Sequence, residues 1–224
     1  DIETRLIGEA SPNYLYNPKS AERIFSQLGD LPIIIVLRSP IFRAFSSYSY
    51  LCRDGRETKT FREGLELEKK RIESGYDFIW HYTEVGMYKA QIERYQALFT
   101  KVKIVVFEEF IKNTLYHTNE ILDFLGAHKL EKIDGRVMNP SGKANLKPLR
   151  FLLNKNNNIS NMSRDFIKRL LPRVVLDTIA SRYLDRLSIE ENDFILLLDK
   201  FSKEIAEMEI LLDRDLSIWR EYRI

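Results

Sequence analysis

The sequence predicts an α/β fold, a parallel sheet flanked by helices with a helical C-terminal portion, on three observations. Ile33-Ile-Ile-Val-Leu37 is an unbroken apolar run, as expected of a parallel strand covered on both faces. A second such run, Val102 to Phe107, follows a helical stretch, and strand, helix, strand implies a parallel pair with a right-handed crossover. After Ser163 the apolar residues recur at helical spacing, as in Ile205, Met208 and Leu212.

The elements follow in order. Asn17-Pro18 opens a first helix whose stripe is Ala21, Ile24, Phe25 and Leu28, and Gly29 closes it. The first strand ends at Arg38. Ser39 and Pro40 then read as an N-cap and a first helical residue. In that helix Ile41, Ala44, Phe45 and Tyr48 share an apolar stripe, and Arg43, Ser46, Ser47 and Tyr50 share the opposite face. The charged stretch Arg53 to Arg71 reads as an exposed helix. Tyr76 to Tyr82 is an aromatic loop, able to stack on flat substrates such as sugars, with at least two of its rings expected to roof the core. A helix from Gly86 to Phe99 leads to the second strand. Glu108-Glu109 is expected to be structural, Asn113 or Thr114 to cap the next helix, and Leu125-Gly126 to end it. Asn154 to Asn161 reads as a linker.

Chemistry concentrates at the strand-to-helix junction. In open α/β sheets, ligands gather at the carboxyl ends of strands, where helix N-termini offer free N–H groups and partial positive charge to anions. Arg38 sits at such an end and Ser46 lies on the following helix, so the two are expected to converge on one phosphate. Asn139-Pro-Ser-Gly-Lys-Ala-Asn-Leu-Lys-Pro148 is a second candidate: Ser141, the flexible Gly142 and Lys143 suit closure of donors around a phosphate.

Composition narrows the function. The chain has 224 residues, 44% of them hydrophobic, enough for a substantial core in one domain spanning 1–224. Its 35 basic and 33 acidic residues leave a net charge of +2, which argues against nucleic acid as a partner and makes any anion site local. A lone Cys52 permits no internal disulfide, and with three histidines there is little for a metal site, so no metal is expected. No apolar run approaches the ~20 residues of a membrane span, and no signal peptide is evident, so a cytoplasmic protein is expected.

The junction Leu37-Arg-Ser-Pro-Ile-Phe-Arg-Ala-Phe-Ser-Ser-Tyr48 resembles the 3′-phosphate-binding motif of sulfotransferases that use 3′-phosphoadenosine 5′-phosphosulfate (PAPS). Other segments agree in order. Gly8-Glu-Ala-Ser-Pro-Asn-Tyr-Leu-Tyr16 is similar to the family's Gly-Glu-Lys-Ser-Pro-x-Tyr segment, with Ala10 where many relatives carry lysine. Gly86 to Tyr95, Phe99, Val102 to Phe107, Glu108-Glu-Phe110 and Ile121 to Gly126 resemble the elements that follow, and Leu211 to Trp219 resembles bacterial members.

The resemblance implies a P-loop-containing nucleotide-binding fold, with PAPS as sulfuryl donor and a hydroxyl or amine acceptor, carbohydrate being the leading one. It implies that Arg38 and Ser46 bind the 3′-phosphate, helped by Ser141, Gly142 and Lys143, although the family's arginine-lysine-glycine order is not reproduced in that loop. In the family the acceptor attacks sulfur in line while a base removes its proton, and cationic and N–H donors stabilise the charge that builds on oxygen. The family's Pro-Lys-x-Gly-Thr-Thr loop and its catalytic lysine have no counterpart in this sequence, and an upstream strand, loop and helix are expected to precede Asp1. The catalytic residues are therefore unassigned: Glu9 and His81 are weak substitutes for a base.

Three other classes remain at this point. A P-loop kinase-like enzyme needs a Walker-type Gly-Lys-Ser/Thr loop, whereas Gly142-Lys143 is followed by Ala144. A nucleotide-binding module without catalysis is the reading to prefer if no phosphosulfate-binding loop is encoded upstream, and a purely structural or interaction protein would leave Arg38 and Ser46 unused. The acceptor itself and the oligomeric state are not legible in the residues.

Overall fold

The computed structural model describes residues 6–133 and 187–222, together with the backbone of two short strands at 143–144 and 184–185. Ser141, Gly142 and the 154–161 linker lie outside the described residues. The fold is α/β, and its contacts divide into two compact units.

The first unit is built from residues 6–40, 87–133 and 201–221. Its centre is a parallel pair, β1 (Ile33–Leu37) and β2 (Val102–Val106), in register from Ile33 opposite Val102 to Leu37 opposite Val106. Phe107, read as the end of the second strand, instead begins a helical turn, Phe107–Phe110. Ile35 and Leu37 are buried, as are Val105 and Val106. Successive strand side chains point to opposite faces, and Val36, on the other face of β1, is 57% exposed. The expectation that β1 is covered on both faces therefore fails among the described residues.

Helix α1 (Ser20–Leu28) starts two residues after Pro18 and ends where Gly29 takes φ 74° and donates its N–H to the Phe25 carbonyl. Of its predicted stripe only Ala21 is fully buried, while Leu28 is exposed. Phe25 meets the buried Phe99 edge-on at 5.6 Å. Residues 201–212 of the helix Glu191–Leu212 add Phe201, Ile205 and Met208 to the core. The Gly8–Tyr16 segment is tied down by the side chain of Arg94, which donates to the carbonyls of Leu15 and Tyr16, and by Tyr95, which donates to that of Tyr14.

The second unit comprises residues 41–86 and 187–200 with Tyr222, together with the short strand pair Lys143–Ala144 and Leu184–Asp185, which is antiparallel. Helix α2 (Pro40–Arg53) buries Ile41, Ala44 and Leu51. The stretch read as one exposed charged helix is three pieces: the end of α2, a turn at 54–60, and α3 (Phe61–Glu73). Thr60 caps α3 in a reciprocal pair with Glu63. Two carboxylates of this stretch are buried because donors come to them. Glu57 accepts from Arg71 at 2.7 Å and Tyr82 Oη at 2.9 Å; Glu68 accepts from the Thr83 N–H and Oγ1, each at 2.7 Å. Burial beside Glu57 pushes the Tyr82 phenol far above its ordinary pKa, so it remains a donor.

Candidate anion-binding site

Arg38 follows the last residue of β1, at the carboxyl end of the parallel pair, as its sequence position requires. Its backbone carbonyl accepts from Tyr88 Oη at 3.0 Å. Its guanidinium lies 5.5 Å from the centroid of the Phe107 ring. Burial lowers its pKa, with the Glu108 charge and Tyr88 opposing that shift. Among the described residues no side chain forms an ion pair or hydrogen bond with this guanidinium, an expensive arrangement for a half-buried cation unless an anion completes it.

Glu108 is close enough to shape that potential, but both of its oxygens are committed. Oε1 accepts the Ser39 N–H at 2.9 Å and Oε2 accepts the Trp219 indole N–H at 3.0 Å, and all three residues are buried. The Ser39 hydroxyl donates to the Trp219 carbonyl at 3.4 Å and so does not cap α2. The amide at this helix start, which the sequence seemed to offer to a phosphate, is therefore used internally. Any anion beside Arg38 has to rely on the guanidinium and on other donors. The structural role expected of Glu108 agrees with this geometry, and Glu109 likewise pairs with Arg214.

Ser46 is in α2, half-buried, and its hydroxyl makes no hydrogen bond among the described residues. Arg43, one turn earlier, donates to Ser47 at 3.2 Å and to the carbonyls of His81 and Tyr82, strapping the aromatic loop to the helix. Arg38 belongs to the first unit and Ser46 to the second. The backbone of Lys143 pairs opposite Asp185; its side chain, with Ser141 and Gly142, lies outside the described residues.

The two weak candidates for a base are otherwise engaged. Glu9 is exposed and hydrogen-bonds Tyr14, which raises the Tyr14 phenol pKa. His81 is buried with Nε2 2.9 Å from the Tyr76 carbonyl. Of the aromatic loop, Tyr82 is fully buried core, whereas Tyr76 is exposed and meets Trp80 edge-on at 5.4 Å, with the Arg71 guanidinium 4.5 Å from the Trp80 centroid. Among the described residues no group of three His, Cys, Asp or Glu is placed to hold a metal, and no helix is long and apolar enough to cross a membrane. Sequence reasoning missed Tyr88 and Trp219 as supports of the junction. Their only local signal is an aromatic residue; the partners lie 50 and 180 residues away.

No protein-family model matches the chain. The crystal structure of a sulfotransferase from Alicyclobacillus acidocaldarius superposes with a TM-score of 0.72 at 30% identity, covering 97% of this chain and 68% of the other. Among curated proteins, human heparan sulfate glucosamine 3-O-sulfotransferase 3B1 is 25% identical over 131 residues, 58% of this chain and 33% of the relative. The membrane-associated sulfotransferase kil1 of Dictyostelium discoideum is 44% identical over 46 residues, 20% of this chain and 10% of the relative. The match thus spans about a third of the length of the human relative.

Proposed function

Because the chain belongs to the sulfotransferase family, we propose that it binds PAPS and takes part in moving its sulfuryl group to a carbohydrate hydroxyl or amine. Arg38 and Ser46 would hold the donor's 3′-phosphate, with Ser141, Gly142 and Lys143 as further ligands. The observation that carries this reading is the Arg38 guanidinium, half-buried at a strand's carboxyl end with no ion pair or hydrogen bond among the described residues. A phosphate oxygen pair fits a guanidinium fork, and the Ser46 hydroxyl has a donor to give. The donor, when bound, supplies an activated sulfuryl group and a good phosphate leaving group.

The chain's own residues bind and orient. Phe107 holds the guanidinium plane from one side, Tyr88 fixes the carbonyl of Arg38, and Glu108 locks the next amide. The arginine is then aimed without reorganisation when an anion arrives, which is how a fixed charge gains value in a partly dry site. A carbohydrate acceptor is supported by the exposed Tyr76, with the half-buried Trp80 beside it, and by relatives whose names specify heparan sulfate glucosamine.

Calorimetric titration with adenosine 3′,5′-bisphosphate and with adenosine 5′-monophosphate tests the assignment. Arg38→Ala is expected to weaken the bisphosphate by roughly 1.5–3 kcal/mol, the worth of a charged hydrogen bond, and to leave the monophosphate nearly unchanged. Equal losses for the two ligands would remove Arg38 from the 3′-phosphate.

A further inference from the structure

Arg38 has a carboxylate within electrostatic reach and does not pair with it. Glu108 is the acid whose charge bears on the guanidinium, and it already grips the amide of the very next residue, Ser39. An ionised carboxylate only accepts hydrogen bonds and a guanidinium only donates them, so a bidentate pair between the two would fill the fork that a phosphate needs. No such pair forms among the described residues. What prevents it is the commitment of both oxygens. Glu108 Oε2 accepts the indole N–H of Trp219 at 3.0 Å while Oε1 accepts the Ser39 N–H at 2.9 Å, so the carboxyl group is fixed from both sides.

Trp219 is itself immobilised. Its ring is fully buried and meets the Tyr88 ring edge-on, centroids 6.0 Å apart, and its carbonyl accepts the Ser39 hydroxyl at 3.4 Å. The turn that carries it, Ser217–Arg220, is pinned to Glu209 on both sides of the tryptophan, by the Leu216 N–H at 3.0 Å and by the Arg220 guanidinium at 2.6 and 2.7 Å. Being buried, the indole touches no ligand and acts through the carboxylate.

We infer that Trp219 is a positioning residue of the anion site: its indole N–H holds the Glu108 carboxylate off the Arg38 guanidinium and so keeps that fork open to a phosphate. An indole that merely filled the core could be replaced by another ring of similar size. A donor aimed at the carboxylate beside Arg38 decides instead what that arginine binds. With the N–H withdrawn, Oε2 is a buried anion short of a donor, and turning toward Arg38 is the least costly way to satisfy it. The arginine is then neutralised from within the protein. This inference rests on the reading of Arg38 as a ligand of the donor's 3′-phosphate and names the residue that keeps it available.

The test uses the whole chain and two readouts. In calorimetric titrations, Trp219→Phe is expected to bind adenosine 3′,5′-bisphosphate roughly tenfold more weakly than wild type, the loss of about one charged contact, and adenosine 5′-monophosphate equally well. Adding Glu108→Gln to Trp219→Phe should restore the bisphosphate affinity, because the neutral amide keeps an oxygen for the Ser39 N–H and has no charge to offer Arg38. A purely structural tryptophan predicts the opposite, a further loss in the double variant. The second readout needs no nucleotide. The Arg38 Nε–Hε resonance, identified by its loss in Arg38→Ala, should exchange with water more slowly in Trp219→Phe than in the double variant; both lack the indole, so its own effect on the signal cancels. Thermal melts verify folding, and benzothienylalanine at position 219, which keeps the bicyclic ring without the N–H, replaces phenylalanine if that variant does not fold. Undiminished bisphosphate binding in Trp219→Phe, or no rescue by Glu108→Gln, overturns the inference. If wild type itself fails to bind the bisphosphate, the donor reading falls; slower exchange of the Arg38 signal in Trp219→Phe then leaves the role of Trp219 standing, and equal exchange in the two variants removes it.

Discussion

The indole N–H of Trp219 donates to the buried Oε2 of Glu108 over 3.0 Å, joining residues 111 positions apart in sequence. The other carboxylate oxygen holds the Ser39 amide beside Arg38, so the C-terminal tryptophan and the phosphate candidate share one anchor. Trp219→Phe keeps most of the apolar bulk but leaves Oε2 without its donor. We expect a loss of about 1–3 kcal/mol, or a melting temperature lower by several degrees. Glu108→Gln should cost more, because its amide group faces one of the two N–H donors. An unchanged melting curve for Trp219→Phe would show that the bond carries no net stability.

Gly64 gives a prediction in which two effects oppose each other. In a helix interior, Gly→Ala is ordinarily stabilising by about 1 kcal/mol. Here a Cβ would come within 3.0 Å of Tyr82 Cε2, and Tyr82 is fully buried with its hydroxyl held by Glu57. The ring has no room to withdraw, so Gly64→Ala should lower the melting temperature; a rise would mean that the Tyr82 and Glu57 pair yields easily.

Ser46→Ala should weaken adenosine 3′,5′-bisphosphate by roughly 0.5–1.5 kcal/mol, the range for a neutral hydroxyl donor, and so by less than Arg38→Ala. Titration of both variants under one condition decides the order. A larger effect at Ser46 would mean that the guanidinium is not the main ligand.

Acid should release the C-terminal segment first. Glu209 accepts two hydrogen bonds from Arg220, at 2.6 and 2.7 Å, and these hold its carboxyl below the ordinary pKa; the Leu216 N–H adds a third at 3.0 Å. A carboxyl depressed on folding contributes stability above its unfolded pKa, near 4.3, and loses it as pH falls through the folded value. The melting-temperature gap between wild type and Glu209→Gln should therefore be full at neutral pH and narrow below about pH 4. A gap constant between neutral pH and pH 3 would exclude this linkage.

What the sequence made legible is what local chemistry decides. Gly29 and Gly126 end their helices at φ 74° and 69°, Asn113 caps with its Oδ1, and the two apolar runs pair in parallel. Arg38 was found from its place after a strand. What was illegible depends on distant partners. Glu57 and Glu68 looked solvated within a charged stretch, because their burial is set by Tyr82, Arg71 and Thr83. The Ser39 amide looked available because Glu108 is 69 residues away. Thr60 and Glu63 form a capping box that is local, but it lay inside a stretch read as one continuous helix.

The first unit takes its parts from three separated stretches, 6–40, 87–133 and 201–221, and its hydrogen bonds close across as many as 180 residues. Such long closures make folding slow relative to a helical bundle of equal size. On the ribosome the consequence is an ordering constraint. The strand that ends at Arg38 is synthesised before Glu108 and Trp219, and both must emerge before the junction after it can lock. Until residue 219 has cleared the exit tunnel, the Ser39 and Trp219 contacts to Glu108 cannot all be made. The junction therefore stays unlocked from the synthesis of Arg38 to that of Trp219, and this is the interval in which a chaperone would be needed.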